Sequence, residues 1–308
     1  MDMESHNRPE PDFEVRSETP HESSFSTPRF EINLKTLAIF LGLLGATVYT
    51  TWQFQGPWYS FGLLTILGSH EFGHYWACRK NNVDATLPHF IPVPGLIHIP
   101  VANIVMLTPG TLGAFIRIKE PIPNRRALME IGASGPIAGF IVALPVLAAG
   151  LMNSQVTLES SAVAEPGLYF GSSLILWAVS GLVLGVDPTS PDVLVNLHPL
   201  AYAGWFGIFF TALNLLPMGQ LDGGHVVYSL FRPRVGLWVA RLCFAGLMIM
   251  GFWWPGWWVW CGLIFFIGMN HPPVLDETVL LEPKHRLTGY CSIALLAGAF
   301  IPVPFYIG

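Results

Sequence analysis

The feature that most constrains this chain is length without charge. The runs 33–52, 58–78, 126–152, 199–217, 236–253, 256–270 and 288–306 are dominated by apolar residues. A helix needs about 20 such residues to cross the hydrocarbon core of a bilayer. Only 11% of the 308 residues are charged and 52% are hydrophobic, whereas an average soluble domain is about 25% charged. The fold class expected is an all-α polytopic membrane protein with about six to seven transmembrane helices. A net charge of −5 lacks the basic footprint that a nucleic-acid partner requires. The four cysteines, Cys78, Cys243, Cys261 and Cys291, form no C-x-x-C pair and read as reduced packing residues.

Residues 1–31 are polar and rich in Glu, Ser and Pro, which predicts a disordered tail. No apolar run follows a basic start there, so a cleaved signal peptide is not expected. Residues 32–308 are then one integral membrane domain, with no polar stretch long enough for a soluble one. Residues 87–119 are apolar but carry five prolines and three glycines. Those residues break helices, so this segment is expected to be a membrane-embedded loop or β-hairpin packed against the helices.

Basic residues set the orientation. They cluster at Arg79/Lys80, between Arg117 and Arg126, at Arg232/Arg234 and at Lys284/Arg286, while 153–169 has no Lys or Arg and two Glu. The positive-inside rule puts the clusters in the cytoplasm. That holds for all of them if the short apolar run 170–186 re-enters rather than spans. The expectation is seven crossings with a cytoplasmic N-terminus, in a bacterial plasma membrane.

The second apolar run ends on "GSHEFGHYWACRK", residues 68–80. His70 and His74 are four residues apart and share one helix face. Both imidazoles then reach one metal ion, with Glu71 beside it as a proton carrier rather than a ligand. Polar groups at membrane depth are costly and usually functional. A catalytic zinc site commonly takes three protein ligands, so a third must come from elsewhere. The stretch 211–231, "TALNLLPMGQLDGGHVVYSLF", offers two by type, Asp222 and His225. Pro217, Gly219, Gly223 and Gly224 loosen the chain there and let a side chain turn toward an ion.

Taken together, "HEFGHYWACR" and "NLLPMGQLDGG" resemble the paired signature of the site-2 protease family of intramembrane zinc metalloproteases. That signature is H-E-x-x-H on one transmembrane helix and N-x-x-P-x-x-x-x-D-G on a later one. Asn214, Pro217, Asp222 and Gly223 match every fixed position of the second. "ASGPIAG" (133–139) resembles the family's Ser/Gly-Pro element, and "GTLGAFIRI" (110–118) its membrane-embedded strand. The resemblance covers about 60–231, a three-helix catalytic core. It is to the short branch, without a PDZ or nucleotide-sensing domain.

The resemblance implies His70, His74 and Asp222 as ligands of one Zn2+ per chain, and Glu71 as general base and acid. It implies Asn214 near the substrate carbonyl, where a helix–helix hydrogen bond is the competing role. Residues 110–118 would be an edge that pairs with an unwound substrate. The function implied is hydrolysis of peptide bonds in or beside transmembrane segments of other membrane proteins, with the site toward the cytoplasmic face. Two other classes stay open: a membrane metal-ion transporter using the same ligands, and an inactive relative that binds membrane proteins. His89, His98, His198 and His271 read as surface or turn residues, His225 as a neighbour of the site, and "WWPGWWVW" (253–260) as an interfacial aromatic belt.

Overall fold

The computed structural model describes residues 33–99, 104–158, 168–187, 190, 193–231 and 233–307. The tail expected over 1–31 lies outside the described residues.

The described chain is mostly helical. Helix α1 runs Leu34–Lys80, and Asn33 caps it by accepting the Thr36 N–H at 2.8 Å. The runs 33–52 and 58–78 are its two arms. They meet at Gln55 (φ −144°, ψ 19°) and Gly56 (φ 81°, ψ −175°), just before Pro57. Pro57 has no N–H to give the preceding turn, and its ring drives the residue before it out of helical geometry. Gly56 absorbs the break with a positive φ that a side chain resists.

The break is a reversal. On a straight helix Thr51 and Ser60 would lie about 13.5 Å apart along the axis. Their hydroxyls instead meet at 2.7 Å. Ser60 Oγ also donates to the carbonyl of Val48 at 3.3 Å. The arms therefore fold back on one another, and the pairing satisfies hydroxyls that apolar surroundings would leave costly.

Seven further helices follow among the described residues: α2 (Arg125–Met152), α3 (Leu174–Leu184), α4 (Pro199–Asn214), α5 (Asp222–Leu230), α6 (Pro233–Met250), α7 (Gly256–Ile267) and α8 (Pro283–Ala299). Three helices, α1, α2 and α6, are long and apolar enough to cross a membrane. The runs at 199–217, 256–270 and 288–306 give helices of 16, 12 and 17 residues. These span about 24, 18 and 26 Å at 1.5 Å per residue, short of the roughly 30 Å core. The chain itself stops them. A turn follows Asn214, Gly268 takes φ 98° after α7, and α8 ends three residues before Pro302. The run 170–186 yields only the 11 residues of α3.

Strands are more numerous than an all-α reading anticipates. Among the described residues, four two-stranded antiparallel sheets pair β1 (His89–Pro92) with β4 (Thr111–Phe115) and β2 (Leu96–Ile99) with β3 (Ile104–Leu107). They also pair β5 (Gln155–Leu158) with β7 (Val193–Asn196), and β6 (Leu168–Phe170) with β8 (Phe305–Ile307). Each joins segments distant in sequence or broken by proline, so short-range periodicity carries little sign of them. The hinge of α1 anchors the approach to β4. Thr50 Oγ1 donates to the carbonyl of Gly110 at 2.7 Å and Tyr59 OH to that of Pro109 at 2.8 Å.

The core lies where α1, α2 and α4 interlock, around Tyr59, Leu63, Ile66, Leu147, Ala203 and Ile208, all nearly inaccessible. Gly204 lies against the backbone of Leu147, with no room for a Cβ. Such close approach substitutes for the hydrophobic driving force that lipid does not supply. Ion pairs gather at one end. Glu130 receives Lys80 at 2.9 Å, Asn81 at 2.9 Å and His285 at 3.2 Å. Arg126 meets Glu282 at 2.8 Å and Lys119 meets Asp84 at 2.9 Å. The "WWPGWWVW" stretch divides: Trp253 is exposed, whereas Trp257 is buried and donates to the carbonyl of Pro302 at 2.7 Å.

The reversal in α1 is directly testable. With Thr51→Cys and Ser60→Cys combined, mild oxidation is expected to give a 51–60 disulfide in most molecules, read by peptide mass spectrometry. A straight helix would hold the two sulfurs far beyond bonding range and give none.

Candidate metal centre

His70, Glu71 and His74 lie in the second arm of α1 and are 5%, 3% and 6% exposed. Asp222 is the first residue of α5. The turn 215–221 between α4 and α5 brings it there. Gly219 takes φ 53°, and Met218 N–H donates to the carbonyl of Leu216 at 2.8 Å. Gly223 and Gly224 lie so close to the carbonyls of Leu215 and Gly219 that a Cβ on either would collide. The glycines after Asp222 thus let the turn close on itself.

Four contacts define the centre. Asp222 Oδ2 is 3.2 Å from His70 Nε2, and Oδ1 is 3.2 Å from His74 Nε2. The two Nε2 atoms face each other at 3.0 Å. Asn214 Nδ2, on the last residue of α4, is 3.4 Å from His70 Nε2. One ligand atom from each of His70, His74 and Asp222 falls within 4.8 Å of the others, the one such group among the described residues.

Hydrogen bonding fixes which lone pairs are offered. His74 Nδ1 is 2.7 Å from the carbonyl of Ile131 on α2. A carbonyl only accepts, so Nδ1 carries a proton, and in the neutral ring that binds a metal Nε2 keeps its lone pair. This is the arrangement in which an outer partner orients a metal-ligating histidine. Two imidazole nitrogens and a carboxylate converging in this way form a ligand set for a cation. An N, N, O donor set suits zinc. The ring of His74 fits because Gly135 of α2 faces it, where a Cβ would overlap the imidazole.

Glu71 sits beside this trio with Oε2 buried and unpartnered. A buried carboxylate oxygen without a donor is costly, and this one borders the adjoining cavity. The backbone N–H of Ile116 approaches the same carboxylate. All five residues, His70, Glu71, His74, Asn214 and Asp222, line one cavity of about 190 Å³, together with Ala114, Phe115 and Ile116 at the end of β4. The backbone that follows β1 in the sheet thus forms a wall of the site.

The matching region runs over residues 58–250, on the model for peptidase family M50. This chain belongs to peptidase family M50, the site-2 protease family. Curated relatives named zinc metalloproteases agree. The chain is 32% identical to a probable zinc metalloprotease EGY1, chloroplastic, of Arabidopsis thaliana, over 62% of this chain and 33% of that one. It is 26% identical to a probable zinc metalloprotease EGY2, chloroplastic, of Oryza sativa subsp. indica, over 78% of this chain and 41% of the relative. The chain therefore spans about a third to two fifths of the length of these relatives. No solved structure matches with statistical support.

Other histidines divide. His198 caps α4, its Nδ1 accepting the Leu200 N–H at 3.2 Å, and His89 stacks on Phe115 at 5.5 Å between ring centroids. The side chain of His98 lies outside the described residues. His271 lies in the loop after α7, with a contact that its reading as a surface or turn residue does not include. It is half-buried, and its Nε2 lies 2.6 Å from Nδ1 of His225. Nothing short-range in the sequence signals a contact across 46 residues. Nor do the motifs signal the Ile131 carbonyl, since a backbone group leaves no mark on side-chain spacing.

Gly135→Ala is expected to leave the protein folded but to weaken metal binding by roughly ten- to a hundredfold, since it displaces an oriented ligand. Metal titration of the apo-protein checks this. Unchanged affinity would mean that the close approach of α2 does not hold His74 in place.

Proposed function

We propose that this chain is an intramembrane zinc metalloprotease, cleaving peptide bonds in or next to transmembrane segments of other membrane proteins. The observation that carries the reading is the convergence of His70, His74 and Asp222 beside a buried Glu71 whose Oε2 has no protein partner. The plant relatives, named probable zinc metalloproteases, support it. The catalytic core is about 60–231.

In this reading His70, His74 and Asp222 hold one zinc ion. Zinc supplies a Lewis acid that polarises a carbonyl and makes water a better nucleophile. Glu71 accepts the proton of the attacking water and delivers it to the departing amine nitrogen. Asn214 Nδ2 donates to the carbonyl oxygen as negative charge develops there. The unwound substrate lies along the 111–118 backbone, because a helical substrate hides its scissile carbonyl in its own hydrogen bonds.

The membrane arrangement in this reading has seven crossings: the two arms of α1, then α2, α4 with its turn, α6, α7 and α8. The strands β1 and β4 lie at membrane depth, and α3 rests at the far face. The ion-paired end is the inner one, and the site is nearer to it. His74 is five residues from Arg79. A bacterial plasma membrane satisfies the charge bias, as does the plastid setting that the relatives' names carry. Reporter fusions in 153–169 and 271–282 are expected to fall on opposite sides of the membrane. Finding both on one side would remove the seven-crossing arrangement.

A metal-ion transporter built on the same ligands would have no use for Glu71 as a base or for an edge strand. The decisive comparison is cleavage of a transmembrane substrate by wild type, Glu71→Gln and Asn214→Ala. Glu71→Gln is expected to keep about one zinc per chain and lose cleavage by at least about 10²-fold. Asn214→Ala is expected to lower kcat about 10²-fold with metal content unchanged. Equal cleavage by wild type and Glu71→Gln, or metal flux lost in their place, would move the assignment to transport.

A further inference from the structure

Two more polar residues, Gln220 and His225, line the cavity with no part in the scheme above. His225, on the first turn of α5, lines the same space as Glu71 and the metal trio. Its Nδ1 is 2.6 Å from His271 Nε2. His271 belongs to a strap, residues 268–282, between α7 and α8 and beyond the 58–250 match to the family. The strap is fastened to the core. Leu275 N–H donates to the carbonyl of Ile122 at 3.0 Å, and Asp276 N–H to that of Pro123 at 2.9 Å. Tyr228 OH donates to Glu277, and the Tyr228 ring packs on His271 at 4.3 Å.

The bonds along this line have one consistent proton assignment. His271 Nδ1 is 2.5 Å from the carbonyl of Pro272, an acceptor only, so Nδ1 carries the proton. Burial disfavours the charged form of His271 and lowers its pKa. In the neutral ring Nε2 is then an acceptor. His225 Nδ1 must donate to it, which leaves His225 Nε2 with a free lone pair. No hydrogen bond to that nitrogen is found among the described residues, nor is it among the buried unpaired atoms, as expected for an atom open to the cavity.

We propose that His225 is a substrate-contacting residue whose Nε2 accepts a backbone N–H of the extended substrate, and that the strap acts through His271 as the positioning element that fixes its tautomer. The inference rests on the protease reading for the identity of the ligand. An extended peptide presents N–H groups on both edges. The 111–118 backbone faces one edge, and a wall acceptor such as His225 satisfies a donor on the other. Loss of a hydrogen bond made equally in ground and transition states appears in KM rather than kcat.

The test compares wild type, His225→Asn, His271→Leu and His271→Gln. Asn at 225 keeps a donor near the Nδ1 position but removes Nε2. Gln at 271 restores an acceptor near the Nε2 position, and Leu does not. His225→Asn and His271→Leu are each expected to raise KM about tenfold, with kcat and zinc content within about twofold of wild type. His271→Gln is expected to recover most of the loss. Independently, 15N spectra of the imidazoles in metal-free protein should show His225 protonated on Nδ1 in wild type, and as a tautomer mixture in His271→Leu. An unchanged KM in His225→Asn, or a wild-type His225 protonated on Nε2, would overturn the proposal. If wild type and Glu71→Gln cleave alike, the protease reading fails and the substrate contact with it. The tautomer relay is then judged by the spectra alone.

Discussion

The structure turns on one polar contact in an apolar setting, the carboxylate of Asp222 set against the Nε2 atoms of His70 and His74 at 3.2 Å each. A carboxylate and two imidazole nitrogens buried together are costly unless a cation or a proton is shared among them. The neighbouring elements are shaped to keep them together. The tight turn 215–221 carries Asp222 in, Gly223 and Gly224 let that turn close, and Gly135 lets α2 approach His74. The carbonyl of Ile131 then sets the proton on the far side of the ring. Metal binding and helix packing are one arrangement here, because an error in any of these contacts moves a ligand atom.

The same logic extends outward from the trio. Glu71 has one oxygen buried without a partner, beside a cavity walled by the end of β4. The hinge of α1 holds the approach to that strand through Thr50 and Tyr59. A hairpin helix, an edge of backbone and a metal site are thereby tied into one unit. The ion pairs around Glu130 brace the basic end of that unit, joining α1, α2 and α8. These pairs are partly exposed and contribute little individually. Their value is in register, since they fix which helix ends lie side by side.

Much of the site is written in the sequence because its parts are local. The i, i+4 spacing of His70 and His74 and the acid between them need only a helix to become a half-site. Asp222 is legible through the glycines and proline around it, whose use is to bend the chain. The apolar runs give the helices of α1, α2 and α6. Less legible is whatever depends on distant partners. Strand β1 finds β4 across a proline-rich stretch, and α4, α7 and α8 end earlier than hydropathy alone implies, because turns and prolines cut them. The reversal at Gln55–Pro57 separates two expected spans within Leu34–Lys80, where Gln55 and Gly56 leave helical geometry. His271 is the clearest case. Its 2.6 Å contact is with a residue 46 positions away, and no motif spacing encodes that.

The account stands most directly on what surrounds the metal. Zinc K-edge X-ray absorption on the purified protein would read it. Two imidazole nitrogens and a carboxylate oxygen at about 2.0–2.2 Å, at about one zinc per chain, are the predicted result. Thiolate sulfur at about 2.3 Å, or an imidazole signal that persists in His70→Ala/His74→Ala, would contradict it.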